Sequence, residues 1–318
     1  MVNFSNYFHL SITGHKDIEF IDVPVDTDVK LFLDPGLIEA ATENFSKTCT
    51  DVIKSYFDAT FQCCRSKDYP NLSRLLNHAA EPNETHLGNS VDHPQGHGAS
   101  EEILFTVFSD LIDRGLFERN VIHHPCDIYV FAPNFDKDRM SDLLTNILRD
   151  LLSQFTEQQC NKHGIPLNGE RIGCFWDYLG NQWQTRHWRL PLAYGKPVLL
   201  VPKSFVSRNY HFSTSSYISK YLLEYRQRYH LDNHTYLCYE RELKDGRKKL
   251  MPPKKKDIKA VEYSGVQWKQ EAIDFACKNP DTMLRFGRER EKSFTDGFYF
   301  MSDYELDLML YSDKFKTA

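Results

Sequence analysis

The sequence predicts a mixed α/β (α+β) protein with a central sheet, flanking helices and two subdomains. Hydrophobic residues make up 41% and aromatic residues 14% of the 318 positions, which is enough apolar surface for a large buried core. Segments with a helical period alternate along the chain with short segments rich in Val, Ile and Phe. The longest helical segment ends near 166 and strands follow it. We therefore predict an amino-terminal α/β region, 1–166, and a carboxy-terminal α/β region, 167–318.

Charge and cysteine usage narrow the class of protein. The net charge is −5, so no overall field attracts nucleic acid, and any site for a polyanion has to be a local patch. No apolar run approaches the roughly 18 residues of a membrane span, and the amino terminus lacks the basic and apolar parts of a secretory signal. The eight cysteines include no CxxC spacing, which predicts free thiols in the cytoplasm.

Helices and short strands are predicted in the amino-terminal region. Alternating apolar residues predict two strands within 18–33, and helical spacing predicts helices at 35–45 and 49–64. The polar stretch 81–100 is marked by Gly and Pro, which predicts a loop. A helix then begins at Ser100 and ends near Gly115, and 128–131 is predicted as a strand.

The clearest helix runs from about Lys137 to Cys160. Its apolar residues recur at helical spacing and are Met140, Leu143, Leu144, Ile147, Leu148, Leu151, Leu152 and Phe155. Beyond it, the pattern predicts strands at 173–178, 183–190, 198–201 and 236–239, and helices at 215–229, 267–277 and 302–311.

Asp34 is the first candidate functional residue, because it directly follows the apolar segment LFL. Carboxylates at the end of a strand often bind ligands or metals in α/β proteins, and Mg²⁺ prefers such oxygens. Pro35 comes next, and Asp followed by Pro is also typical of a helix start with an Asp cap. The sequence leaves both interpretations open.

The segment NFDKDRMSDLLTNILRD supplies the second group of candidates. Asp138, Asp142 and Asn146 are spaced by four residues, so they share a helix face opposite the leucines, and Arg139 and Arg149 flank them. Such a face could hold a divalent cation or a phosphate. It could equally be a solvated surface, with Asp138 favoured by the helix dipole in the first turn.

Two further features contain groups that suit metal or phosphoryl chemistry. The polar loop holds His86, His93 and His97 beside Glu84 and Asp92, and imidazoles and carboxylates are zinc ligands, although Pro and Gly leave the spacing undefined. Lys203 follows the apolar segment VLLVP, as a lysine does in metal-dependent nucleases, but the ExK tripeptide of those enzymes is replaced by Val201-Pro202-Lys203. Walker-type loops, GxSxG elbows and HExxH are absent.

A basic segment at 241–259 reverses the charge of the chain locally. It holds nine Lys and Arg against three acids, and four tyrosines recur every fourth residue just before it, at 217, 221, 225 and 229. Rings beside cations suit single-stranded nucleic acid. The alternative is that the tyrosines pack inward and the lysines are solvated. The predicted nucleic-acid-binding residues are Arg226, Lys248, Lys249, Lys254, Lys255 and Lys256.

These motifs resemble a group of uncharacterised bacterial proteins associated with mobile elements and phage defence. The resemblance covers about 18–290 and rests on LFLDPGLIE, NETHLGNS, GHGAS, FDKDRMSDLLTNIL, FTEQQCNKHGIP and PVLLVPK, with DRxSDxxTN as its most specific part. It implies a role in defence but no particular reaction.

Two functions follow as hypotheses. In the first, the chain is a metal-dependent nuclease or phosphodiesterase. Its catalytic residues are Asp34, Asp138, Arg139, Asp142 and Lys203, and Asp34, Asp142 and His86 bind Mg²⁺ or Mn²⁺. In the second, the chain is a non-catalytic sensor or adaptor that binds nucleic acid or a protein partner in a defence complex, and its charged faces are docking surfaces.

Overall fold

Helices account for most of the ordered secondary structure, with strands as a minor part. The computed structural model describes residues 2–78, 82–89, 99–295 and 299–311. The mixed α/β class is confirmed. Among these residues, no helix is both long and apolar enough to cross a membrane.

The helices of the described residues fall in both halves of the chain. They are α1 (Phe4–Tyr7), α2 (Pro35–Ala40), α3 (Asn44–Ser66), α4 (Tyr69–Leu76), α5 (Ala99–Asp113), α6 (Pro125–Phe131), α7 (Lys137–His163), α8 (Thr214–Tyr217), α9 (Leu223–Asp232), α10 (Lys255–Glu262), α11 (Trp268–Lys278), α12 (Asp281–Thr295) and α13 (Asp303–Tyr311). A π-helical segment, Ile218–Leu222, joins α8 to α9, and short 3₁₀ turns lie at His15–Asp17, Asn83–Thr85 and Lys203–Phe205.

The strands pair as four separate antiparallel sheets of two strands each, within the described residues, in place of one central sheet. They are β1 (Phe32–Leu33), β2 (Gly169–Asp177), β3 (Gln182–Leu190), β4 (Leu192–Ala193), β5 (Lys196–Pro197), β6 (Val206–Ser207), β7 (Tyr239–Glu242) and β8 (Lys248–Met251). The pairs are β1–β6, β2–β3, β4–β5 and β7–β8. The apolar residues of 18–25 and 198–201 are buried, but only Phe20 and Pro24 among them form isolated bridges, to Pro202 and Asn3. In these two segments, therefore, the apolar residues indicate burial and not the pairing of strands.

Helix α7 lies at the centre of the molecule. Asp136 caps its first turn by accepting a hydrogen bond from the Arg139 amide at 3.1 Å, and Gly164 ends it with φ +69°. All its leucines except the half-buried Leu151 are buried, and so are four polar residues, Ser141, Thr145, Asn146 and Arg149. The helix is enclosed because α3, β1 and the β2–β3 hairpin pack around it. Of the polar face named in the sequence analysis, Asn146 is buried, whereas Asp138 and Asp142 are partly exposed.

Contacts around the first turns of α7 join distant parts of the sequence. Ser141 Oγ accepts a hydrogen bond from the Leu33 amide at 3.0 Å, and Phe32 and Leu33 pair with Ser207 and Val206. One hydrophobic core contains residues from both sides of the predicted boundary at 166/167. A smaller cluster around Phe4, Phe20 and Phe155 lies beside it.

Several predicted elements are confirmed and several are wrong. The helix from 137, the β2–β3 hairpin and the helices near 215–229, 267–277 and 302–311 are present. The predicted strand 128–131 is part of α6, because Pro125 begins a helix that His124 and Asp127 cap with reciprocal hydrogen bonds. Of the two strands expected within 18–33, only β1 pairs with another strand. Helices α4, α10 and α12 were not predicted.

Candidate functional site

Asp34 acts as a helix cap in this structure. Its carboxylate accepts hydrogen bonds from the Gly36 amide at 2.9 Å and from Ser207 Oγ at 3.3 Å, and it begins α2. The side chain is buried, and this burial raises its pKa to about 6 despite those donors. The capping interpretation accounts for both the position and the partners of this residue.

Asp138 and Arg139 lie in the first turn of α7 and bond to nearby backbone. Asp138 Oδ1 accepts a hydrogen bond from the Asn89 amide at 3.2 Å, and burial raises the pKa of this carboxyl. The Arg139 guanidinium donates to the Asn134 carbonyl. Asp138 therefore holds the end of the 82–89 segment against α7, and Arg139 closes the turn that precedes the helix.

Asn146, which is hydrogen-bonded to the Asp142 carbonyl, belongs to a buried ionic network that the sequence did not predict. Asn146 Nδ2 donates to the Asp142 carbonyl at 2.9 Å, and Asn146 Oδ1 accepts from Arg149 Nη2 at 2.6 Å. Arg149 also donates to Glu84, which accepts a second hydrogen bond from Arg171 Nε at 2.7 Å. Two arginines thus share one carboxylate beside α7.

The electrostatics of Glu84 show that this network is an ion pair. Burial alone would raise the pKa of the carboxyl, but Arg149 and then Arg171 outweigh that effect and hold the pKa below its usual value. The backbone of Glu84 is fixed as well, because its carbonyl accepts from the Leu199 amide at 2.7 Å. The only signal in the sequence was a Glu in a polar loop and an Arg three residues after Asn146, and neither indicates pairing over 65 positions.

His86 helps to fix the backbone of the 82–89 segment, which also contains Glu84. Its ring is buried, with Nδ1 at 3.6 Å from Asp28 Oδ1, and its carbonyl accepts a hydrogen bond from the Val29 amide at 2.9 Å. His93 and His97 lie outside the described residues. Among the described residues, no group of three or more His, Cys, Asp or Glu is arranged to hold a metal ion.

Lys203 attaches the carboxy-terminal helix to the rest of the molecule. Its Nζ donates to Asp303 Oδ1 and to the His15 carbonyl, both at 2.6 Å. His15 Nδ1 lies 2.6 Å from Asp307 Oδ1, so the same contact region holds α13 at two points. The predicted catalytic residues Asp34, Asp138 and Lys203 each have a different set of partners and share none of them.

The predicted basic segment forms a hairpin and a helix. Strands β7 and β8 pair with Arg241 opposite Lys249 and Glu242 opposite Lys248, and α10 follows. Because side chains alternate across a strand, Tyr239, Arg241, Lys249 and Met251 share one face, and Glu240, Glu242, Lys248 and Leu250 share the other. We call the first set, with Lys254, the basic hairpin face.

The two faces of this hairpin differ in how their charges are balanced. On the second face, Lys248 Nζ lies 3.3 Å from Glu240 Oε2, and Glu242 leaves that face with one more acid than cations. On the basic hairpin face, Arg241, Lys249 and Lys254 have no ionic partner among the described residues, and Lys254 Nζ lies 5.8 Å from the centre of the Tyr239 ring. All three cations are exposed.

The other predicted nucleic-acid-binding residues divide into paired and free side chains. Arg226 is held by Glu262 through two hydrogen bonds of 2.7 and 2.8 Å, and Lys255 Nζ lies 3.1 Å from Glu224 Oε1. Lys256 is exposed, and the described part of the chain offers it no acid partner. The prediction that Arg226 faces nucleic acid is therefore not favoured, since its guanidinium is already bound in a bidentate pair.

The tyrosine series is split by the helix on which it lies. Tyr217 and Tyr221 are buried and stack with ring centres 5.3 Å apart, whereas Tyr225 and Tyr229 are exposed. The series drifts around the helix, so only its second half reaches the surface near α10. Tyr236, which is 84% exposed, adds a ring before β7.

Together these features define a mixed α/β protein whose core surrounds α7 and which carries a group of exposed cations on one face of a carboxy-terminal hairpin. The family described as a domain of unknown function, DUF8370, matches residues 9–213, and the chain belongs to this family because the match covers more than half of it. No curated protein and no solved structure matches the chain. The matched residues include α7 and the Glu84 network but end before the basic hairpin face.

Proposed function

We propose that this chain binds single-stranded nucleic acid on the basic hairpin face and acts without catalysing a reaction. The observation that supports the proposal is the pair Arg241–Lys249, two exposed cations directly opposite each other in adjacent strands with no acid on their face of the hairpin. Like charges in this position destabilise a hairpin. A bound phosphate would relieve that repulsion, and spaced Lys and Arg are the usual partners of phosphates.

The exposed rings favour a single strand over a duplex. Tyr239 is flanked by Lys254, and Tyr236 is exposed just before the hairpin. Bases of a single strand can stack on such rings whatever their identity, whereas bases of a duplex are already stacked on each other. Binding would therefore combine phosphate contacts to the cations with stacking on tyrosine.

The contacts of the acidic residues support the non-catalytic alternative. A metal-dependent nuclease needs carboxylates that face a common open site, but Asp34 caps a buried helix end and Asp138 accepts from a backbone amide. The nuclease hypothesis, with Mg²⁺ or Mn²⁺ on Asp34, Asp142 and His86, stays a prediction. Membership of a bacterial defence complex, implied by the resemblance, and residence in the cytoplasm, consistent with eight free cysteines, belong to the same proposal.

The test uses neighbouring residues on opposite faces of the hairpin. Fluorescence anisotropy of labelled single-stranded DNA and RNA is measured with the wild type, with Arg241→Gln/Lys249→Gln, and with Lys248→Gln as a matched control. We expect the double variant to bind about tenfold more weakly and with a shallower salt dependence by about 1.4 units of slope, about 0.7 for each lost phosphate contact, while Lys248→Gln changes little. Equal weakening by Lys248→Gln, or tighter binding of a duplex of the same sequence, would contradict the proposal.

The same preparation tests the nuclease alternative. The wild type and Asp142→Ala are incubated with each nucleic acid and Mn²⁺, and the products are separated on a denaturing gel. Intact substrate in both reactions, together with binding on the basic hairpin face, supports the non-catalytic role. Cleavage by the wild type that Asp142→Ala abolishes would replace it with the nuclease.

A further inference from the structure

A cavity of about 200 Å³ opens between α2, α3 and α6. Its floor is formed by Ile53, Phe57 and Phe61, which are spaced by four residues on α3 and almost completely buried. Pro35 and Pro125 form part of its walls. The volume is close to the roughly 150 Å³ of an apolar cavity that holds benzene, and below the roughly 300 Å³ at which sites for drug-sized ligands begin. The cavity therefore suits a ligand with one apolar group.

One polar pair on the rim, His124 and Glu39, is already joined by a hydrogen bond. His124 Nε2 lies 3.1 Å from Glu39 Oε2, and His124 Nδ1 accepts a hydrogen bond from the Cys126 amide at 3.2 Å. Because Nδ1 acts as an acceptor, the proton of the neutral ring is on Nε2 and is donated to Glu39. This hydrogen bond is the main cause of the lowered pKa of Glu39, so the carboxylate is an anion at the cavity edge.

Two other groups on the rim have unused hydrogen-bonding capacity. Lys54 and Asp58 lie one turn apart on α3 and are exposed, and neither forms a salt bridge with another described residue. The charge of Lys54 also contributes to the lowered pKa of the Glu39 carboxyl. His123 Nδ1 is closed off from solvent and lies 3.6 Å from Asp127 Oδ2, so it is not available to a ligand. A cation and an anion thus stand side by side above an apolar floor.

We propose that this cavity binds a free amino acid with an apolar side chain, such as leucine or phenylalanine. The side chain occupies the floor of Ile53, Phe57 and Phe61. The ammonium group meets Asp58, and the carboxylate meets Lys54, through charge-assisted hydrogen bonds. An uncharged apolar molecule would displace water from Lys54 and Asp58 without offering them hydrogen bonds in its place. A dianion would be repelled by the carboxylates of Asp58 and Glu39. The cavity lies within residues 9–213, so this binding is separate from the basic hairpin face.

Calorimetric titration of the full chain with leucine and with phenylalanine tests the proposal. Phenethylamine and 3-phenylpropanoate, which each lack one of the two charges, are titrated beside them. Lys54→Met and Asp58→Asn remove one rim charge each, and Lys47→Met and Asp51→Asn make the same changes at exposed positions of α3 outside the cavity lining. We expect each rim variant and each analogue to bind at least about tenfold more weakly, because one charge-assisted hydrogen bond is lost. The control variants should bind like the wild type.

A variant that fills the cavity makes the test independent of charge. Thr50 lines the cavity, so Thr50→Phe should abolish binding while its circular dichroism spectrum stays that of the wild type. The proposal is overturned if neither amino acid binds at millimolar concentration, if Thr50→Phe binds normally, or if an analogue with one charge binds as tightly as phenylalanine. Tighter binding of cytosine than of either amino acid would also overturn it, since the ligand class would then be a nucleobase.

Discussion

In the sequence, the amino-terminal acids and the carboxy-terminal cations are equally charged and equally plausible as binding residues. In the structure, their environments are opposite. Asp34 and Glu84 are buried, and each bonds to two or more donors. Arg241 and Lys249 are exposed, and the described residues supply no acid to either of them. A charge in the interior has to be compensated because it has lost its water, whereas a solvated charge does not. Burial and partners therefore separate charges that hold the fold from charges that are free for a ligand.

The largest expected effect concerns the two arginines of Glu84. Arg149→Ala should lower the free energy of unfolding by about 3 kcal/mol or more, because it leaves a buried carboxylate with one exposed partner. Arg171→Ala removes the partner that is 42% exposed and should cost less than about 1 kcal/mol. Urea unfolding of both variants measures the difference. Similar losses would mean that the Glu84 carboxylate is more solvated than its position indicates.

The next prediction concerns Asp34 and pH. The pKa of its carboxyl rises from an ordinary 3.8 to about 6 on folding, so the folded state binds more protons between these values and stability falls as pH rises through this range. Asp34→Asn keeps an oxygen for the Gly36 amide and has no such charge. Its stability relative to the wild type should increase by roughly 2 kcal/mol between pH 4 and pH 7 and then stay constant. Chemical unfolding across this pH range tests the sign, and a flat difference would contradict the burial of an ionisable Asp34.

A smaller effect is expected at Lys203. Lys203→Ala removes a partly exposed ion pair with Asp303 and a hydrogen bond to the His15 carbonyl. We expect amide hydrogen exchange in α13 to become about tenfold faster, with little change in α7. Unchanged exchange in α13 would leave Lys203 without a structural role and return it to the candidate catalytic residues.

The smallest effects should separate paired from free cations on the carboxy-terminal surface. Arg226→Gln breaks the bidentate pair with Glu262 and should destabilise the protein by about 1 kcal/mol. Lys249→Gln should leave the urea midpoint unchanged or raise it slightly, because it removes repulsion from Arg241. A destabilising Lys249→Gln would show that this side chain has a partner in solution.

Local patterns were sufficient to predict some elements and not others. The spacing of Met140 to Phe155 defines α7, and alternation with a turn at 178–181 defines β2–β3, because both signals arise within one element. The buried runs 18–25 and 198–201 were expected to pair as strands, but their apolarity reflects enclosure by α7 and its neighbours. The pairing of Glu84 with Arg149 depends on how the 82–89 segment crosses α7, which has no local signature.

By itself, the sequence determined the mixed α/β class, the central helix, the long hairpin and the presence of a basic segment, since periodicity and composition are properties of neighbouring residues. Only the tertiary structure decided which charges are enclosed, which acid meets which arginine, and which face of the basic hairpin lacks an acid. Those outcomes depend on the loss of water around each group and on partners far away in the chain, and neither can be read from a local pattern.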